Sequence, residues 1–180
     1  MTLDAQFVQF SRQKLVHQYW PRLRACVESL TDDQVWWRPN ERSNSIGNLL
    51  LHLDGNVRQW LVTAFVGNAD GRDRAAEFGE RQPLPAPALL ARLEATLQQA
   101  DAVMAGLTPD TLTAPRTIQG FQVSGLYAVY HVVEHFSTHL GQIVYLTKWL
   151  RDDDLGFYRN LDATGRAEQV DAAHPSLQVP

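Results

Sequence analysis

The chemistry in this chain concentrates in His131-Val132-Val133-Glu134-His135-Phe136-Ser137-Thr138-His139-Leu140-Gly141-Gln142, which holds three of the six histidines in nine residues, each four apart. The apolar pattern continues through Ile143, Leu146, Trp149 and Leu150 and predicts one helix from about Val123 to about Leu150. Residues four apart on a helix share a face, so two such imidazoles can point at one ion. Three cannot easily do so, because His131 and His139 stand roughly 12 Å apart along the axis. The first question is therefore which pair forms a site.

Periodicity separates the candidates. At ~100° per residue, Val132, Phe136, Leu140, Ile143, Leu146 and Leu150 make one stripe. His139 falls inside it and His135 on its near edge, while His131 lies further round with Glu134, Thr138 and Tyr145. A ligand aimed into a helical core sits on the apolar side, so His135 and His139 are the expected pair. The blander reading is three unrelated histidines. It loses ground because a buried imidazole needs partners for both nitrogens. A rival motif overlaps the pair: His131-x-x-Glu134-His135 matches the H-x-x-E-H of some metalloproteases. That motif wants a carboxylate ligand well downstream. After His135 the only glutamate is Glu168, and His139 would have no role.

Four long amphipathic stretches must position these groups. The first runs from about Leu3 to Leu30 with Phe7, Phe10, Leu15, Tyr19, Leu23 and Val27 in helical spacing, and Pro21 should kink it. His17 lies on it and reads as a plain polar or core residue. Thr31-Asp32-Asp33-Gln34 caps a short turn carrying Val35, Trp36 and Trp37; one tryptophan should cover an end of the fold. The second helix starts at Ser43 or Ser45 and ends near Val66, with Ile46, Leu49, Leu53, Val57, Trp60 and Ala64 inward. His52 stands between that stripe and a polar strip of Asn48, Asn56, Gln59 and Thr63, a position that suggests a wet cavity. Residues 67–85 form a long glycine- and charge-rich loop, either solvated or offering arginines to an anionic substrate group. The third helix spans about Pro87 to Leu107. Thr111 to Ser124 should be a small hairpin or an extended crossover. No internal repeat is evident. The expected fold is all-α, an up-down four-helix bundle over 1–151 with a long loop between its second and third helices. The stretch 152–180 is expected to be a poorly ordered tail. Two ligands from the fourth helix and one from the second would give a three-histidine site.

Composition sets the limits. The 180 residues are 44% apolar and 20% charged with a net charge of −4, ordinary for one globular domain and unsuited to nucleic acid. Cys26 is the sole cysteine, which rules out a disulfide framework and a cysteine-rich metal site. The first residues lack the pattern of a signal peptide and no apolar run is long enough for a bilayer, so a cytoplasmic protein without membrane or nucleic-acid partners is expected.

The block Ser45-Ile46-Gly47-Asn48-Leu49 through His52-Leu53-Asp54-Gly55-Asn56-Val57-Arg58-Gln59-Trp60, followed far downstream by His135-x-x-x-His139-x-Gly141-Gln142, resembles the DinB-like (DinB/YfiT-type) metalloprotein superfamily. The run from Arg72 to Phe78 looks like a bacterial subgroup with no settled activity. The resemblance covers most of the chain up to Leu150. It implies a four-helix bundle holding a divalent ion on His52, His135 and His139, and a homodimer. It also implies a small-molecule substrate of the low-molecular-weight thiol kind, with thiol S-transferase or isomerase chemistry. This sequence departs from the common pattern in carrying Leu140 where many members have arginine, and in the extra His131. Three neutral imidazoles would leave an ion with open positions, able to hold a thiolate or acidify a water. Zinc or nickel suits such ligands, and iron or manganese is compatible. Asn48, Asn56, His131, Glu134 and Gln142 are the candidates for orienting ring N–H groups or touching substrate; no catalytic base stands out. The expectation is a metal-dependent thiol-transferase or hydrolase, with a non-catalytic, stress-related metal-binding protein as the alternative.

Overall fold

A computed structural model describes residues 1–67, 70–159, 161 and 164–165. These residues are mostly helical. The first rod is α1 (Leu3–Arg12), a π-helical segment Gln13–Tyr19, and α2 (Trp20–Glu28). Pro21 sits at the start of α2. It brings no N–H and crowds the preceding turn, and the helix widens there rather than breaking. After the short α3 (Asp32–Trp36), the second rod is α4 (Ile46–Val57), a second π-helical segment Arg58–Thr63, and α5 (Ala64–Val66). A short α6 (Arg74–Gly79) then precedes the long α7 (Ala86–Ala105). Next come α8 (Pro109–Thr113), an antiparallel hairpin of β1 (Pro115–Ile118) and β2 (Phe121–Ser124), and α9 (Gly125–Arg151). No helix among the described residues is long and apolar enough to cross a membrane.

Local chemistry marks the starts of these helices. Thr31 with Gln34, Ser45 with Asn48, and Thr108 with Thr111 form reciprocal capping boxes. Asp73 caps α6, and the Ser124 hydroxyl accepts the Tyr127 N–H to start α9. Leu15, Leu23, Val27, Leu53, Leu93, Leu97, Phe136 and Ile143 fill one apolar core. Burying each such side chain contributes about 1.5–3 kcal/mol.

The second rod is the centre of the molecule, because every residue of α4 is buried. It packs on α7, α6 and α9. A cavity of about 450 Å³ does lie beside the strip, lined by Gln59 and Thr63 with Asp54, Arg72 and Glu77, but Asn48, His52 and Asn56 are buried against protein and do not line it. Asp54 accepts from Arg92 Nε at 2.6 Å and from the Thr96 hydroxyl at 2.5 Å, which compensates its loss of water. The segment expected to be a loop over 67–85 contains α6 and packs on α4. Of the stretch 152–180, residues through Arg159 are described, and Leu155 and Phe157 lie on the core with Arg22 over the rings of Phe157 and Tyr158. Residues 166–180 lie outside the described set, so most of the expected tail does too.

Of the two adjacent tryptophans, Trp36 is buried and Trp37 is partly exposed. Trp36 donates its indole N–H to the Leu84 carbonyl at 2.9 Å and lays its ring on Gly47, where a Cβ would come within 2.7 Å. Replacing Gly47 by Ala is therefore expected to destabilise the protein by about 1–3 kcal/mol through overpacking against a ring that cannot retreat. Denaturant unfolding of Gly47→Ala, with Gly141→Ala as an open-space control, checks this.

Candidate metal centre

Three imidazoles meet where α4 faces α9. The ring nitrogens of His52, His135 and His139 that could bind an ion all lie within 4.8 Å of one another. Ring centroids are 5.0 Å apart for His52–His135, 5.0 Å for His52–His139 and 4.5 Å for His135–His139. The His139 ring stands nearly perpendicular to both others. The helical spacing of four residues brings His135 and His139 to one face of α9, and His52 comes from the buried middle of α4.

Hydrogen bonds set which nitrogen carries the proton. His52 Nδ1 lies 2.9 Å from Glu77 Oε2. An ionised carboxylate only accepts, so this contact, shorter than the 3.1 Å between Nδ1 and Arg72 Nη2, favours Nδ1 as donor, which in the neutral ring leaves the lone pair on Nε2. His139 Nδ1 donates to Gln142 Oε1 at 2.7 Å, which again leaves Nε2 free. His52 Nε2 then faces His135 Nε2 at 2.9 Å. Two bare lone pairs at that distance repel; a proton or a cation between them removes the conflict.

Glu77 is the residue that sequence reasoning missed. It sits on α6, in the segment expected to be a loop, and is only 8% exposed. Arg72, whose side chain is 5% exposed, grips it through Nε–Oε1 at 2.7 Å and Nη2–Oε2 at 2.8 Å. Burial pushes the Glu77 carboxyl up, but the bonds from Arg72 and His52 outweigh it and hold the group below its ordinary value. Arg72 also donates to Gln59 Oε1 at 2.8 Å. This arginine is fully engaged inside the protein and does not offer its charge to a substrate anion. Gly55 makes the arrangement possible, since a Cβ there would lie 2.0 Å from Glu77 Oε1. A charge run gives no hint of which acid and which arginine turn inward. The only available signal was an Arg and a Glu five apart in a segment whose length called for a purpose.

The remaining candidates take other places. Asn48 does not touch the rings; its Nδ2 donates to the Glu77 carbonyl at 2.9 Å and so holds the backbone that carries the carboxylate. Asn56 Nδ2 donates to His131 Nε2 at 3.2 Å. His131 stacks on His135 with centroids 5.2 Å apart, outside the cluster of three. Glu134 is exposed and accepts from the Thr138 hydroxyl at 3.1 Å, an arrangement that gives the H-x-x-E-H reading no support. His17 is exposed. Cys26 is buried, with burial pushing its thiol up to about 11, which leaves it a poor nucleophile.

The rings resist protonation. His135 is pushed down to about 3, first by burial and then by the neighbouring His139, His52 and His131. His131 and His139 are lowered as well, again chiefly by burial. Such groups stay neutral, and available as ligands, at pH values where a free imidazole is charged.

Two expectations follow. Glu77→Ala leaves the Arg72 cation buried and unpaired, so it should cost about 3–5 kcal/mol of stability. Removing Arg72 as well should recover part of that loss in a double-mutant unfolding cycle. For pH, a lowered His135 means that the unfolded chain binds a proton the folded chain refuses between its ordinary 6.5 and about 3. The metal-free protein should therefore lose stability as pH falls through that window, on the order of 1 kcal/mol by pH 5. His135→Gln should flatten the dependence, as read from denaturant midpoints at pH 7 and pH 5.

Comparison with known proteins bears on the fold and the family. A crystal structure of a DinB-like protein from Bacillus cereus ATCC 10987 superposes with a TM-score of 0.59 at 14% identity, covering 73% of this chain and 85% of that one. The DinB-like protein YjoA of Bacillus subtilis gives a TM-score of 0.59 at 19% identity, covering 81% of this chain and 91% of that one. At these identities the likeness shows the fold alone. No curated protein matches the sequence. Residues 15–143 match the family described as the DinB superfamily, and the chain belongs to that superfamily.

Proposed function

We propose that this protein is a metal-dependent enzyme of the thiol-transferase or hydrolase type, with His52, His135 and His139 as the ligands of a divalent ion. The observation that carries the reading is the convergence of the three rings, whose ligand nitrogens lie within 4.8 Å of one another, with the outer nitrogens of two of them hydrogen-bonded to protein. Glu77 and Gln142 draw the N–H of His52 and His139 away from the common centre, and so present Nε2 lone pairs toward it. Three imidazoles bring no negative charge, and an ion they held would supply a Lewis acid with open positions, suited to a thiol or a water. Zinc or nickel fits the nitrogen donors best, with iron or manganese also compatible.

The chain's own contributions are positional. Glu77, clamped by Arg72, keeps the His52 ring turned inward and in one tautomer. Burial opposes protonation of His135 and His139. In the same proposal the four long helical rods form an up-down four-helix bundle, a low-molecular-weight thiol is one reactant, and two copies form a dimer in the cytoplasm. The dimer is supported by Tyr145 and Trp149, large rings that α9 leaves exposed.

Elemental analysis of the purified protein tests the reading. The wild type should carry one divalent ion per chain. His52→Ala, His135→Ala and His139→Ala should each lose it, His131→Ala should keep it, and Glu77→Gln should bind it about 10–100-fold more weakly. A wild-type chain that takes up no ion sinks the proposal. An ion bound without any thermal-shift or turnover response to thiols and electrophiles supports instead the non-catalytic, stress-related metal-binding protein.

A further inference from the structure

Beside the histidine cluster, the β1–β2 hairpin, Trp60 and the start of α9 line an open pocket of about 690 Å³. That volume is within the range of small-molecule sites, about 300–1,000 Å³. Four rings wall it: Trp60, Phe121, Tyr127 and His131. None of its lining residues is an acid, a lysine or an arginine. Phe121 is 61% exposed and Tyr127 49% exposed, so apolar ring surface lies open to solvent beside the buried Trp60. Gln119 and Gln122 of the hairpin add neutral donors and acceptors.

The walls lead toward the metal centre. Tyr127, His131 and His135 are four apart on α9, and their rings are nearly parallel, at 11° and then 20°. Trp60 lies against His131 with centroids 4.0 Å apart. Around His131 two buried polar atoms have no partner among the described residues: the Trp60 indole N–H and the Asn56 amide oxygen. Unmet groups of this kind are costly to bury. Of the two, Trp60 belongs to the pocket wall, and its N–H calls for a carbonyl acceptor, while the side-chain oxygens of Gln119 and Gln122 can accept from a ligand N–H; Asn56 lies outside the lining.

We infer that this pocket binds a neutral small molecule with a flat aromatic body and an amide-like polar group, set against His131 next to the metal ligands. An anion finds no cation in the walls. A quaternary cation could use the ring faces but would leave the Trp60 N–H without an acceptor. The site explains why His131 and Trp60 are present although neither belongs to the cluster of three. Its role as the place of the second substrate rests on the proposed function; its ability to bind does not.

The test uses the full chain stripped of metal by chelation, with benzamide as the probe and benzoate and benzyltrimethylammonium as charged controls. Ligand-observed NMR titration should show saturable benzamide binding, about tenfold tighter than either control. Phe121→Ala combined with Tyr127→Ala should weaken it about tenfold, while metal content and melting temperature stay at wild-type values. The absence of saturation, equal binding of the controls, or unchanged binding by the double variant overturns the inference. So does light scattering that shows Phe121→Ala dissociating a dimer, because a second copy would then be the occupant. Benzamide binding by a wild-type chain that takes up no metal would leave the pocket standing and remove the proposed function; metal uptake without benzamide binding would do the reverse.

Discussion

A carboxylate taken out of water must be met at once by positive charge and donors, and the centre of this protein is organised around how Glu77 meets that demand. Desolvation of a buried ion pair is costly and is offset only when geometry and additional hydrogen bonds are good. Here Arg72 supplies two parallel N–H bonds and His52 a third. The Glu77 backbone is held by Asn48, and Gly55 gives the room. These contacts bind the 67–85 segment to α4. They also give the His52 imidazole one orientation and one tautomer. The same three side chains therefore serve stability and site geometry together.

Much of this was legible before any coordinates. The apolar stripe of α9 and the four-residue spacing point to His135 and His139 from periodicity alone, and the structure brings those two rings together. The capping boxes at Thr31 and Ser45 mark helix starts as their chemistry demands. His52 was harder. Periodicity leaves it on the border of a stripe, and only resemblance to a family picks it out. Glu77 was not legible at all, because its partners are set by how one connection folds back on a distant helix. Propensity and period are local quantities, and a buried charge pair across a connection is not. For the same reason periodicity does not show where the polar side chains of α4 go: Asn48 reaches the backbone of the covering segment, Asp54 reaches Arg92 and Thr96 of α7, and Asn56 reaches His131 of α9.

Charge is also arranged unevenly around α4. On the side facing α9 lie neutral rings whose protonation is opposed by burial and by one another. On the side facing α7, Asp54 pairs with Arg92 and Thr96. A helix that is buried all round is ordinarily apolar all round; this one instead meets Asn48, His52, Asp54 and Asn56 with partners from different elements, and leaves the Asn56 oxygen unmet among the described residues. A second cavity, of about 450 Å³, lies where Asp54, Gly55, Arg72 and Glu77 meet, apart from the aromatic one. The two cavities differ in chemistry, one lined by several ionic groups and the other by none.

The wide turn at Arg58–Thr63 has a consequence for how the chain can change. A π-helical turn accommodates one more residue than an ordinary turn, with bonds reaching five positions instead of four. Within it Gln59 reaches Arg72 while Trp60 lies on His131. Deleting a single residue there would let the rod rewind to the common helix, and everything beyond would rotate by about 100° relative to Asn48, His52 and Asn56. The ionic clamp and the aromatic pocket would then lose their common wall.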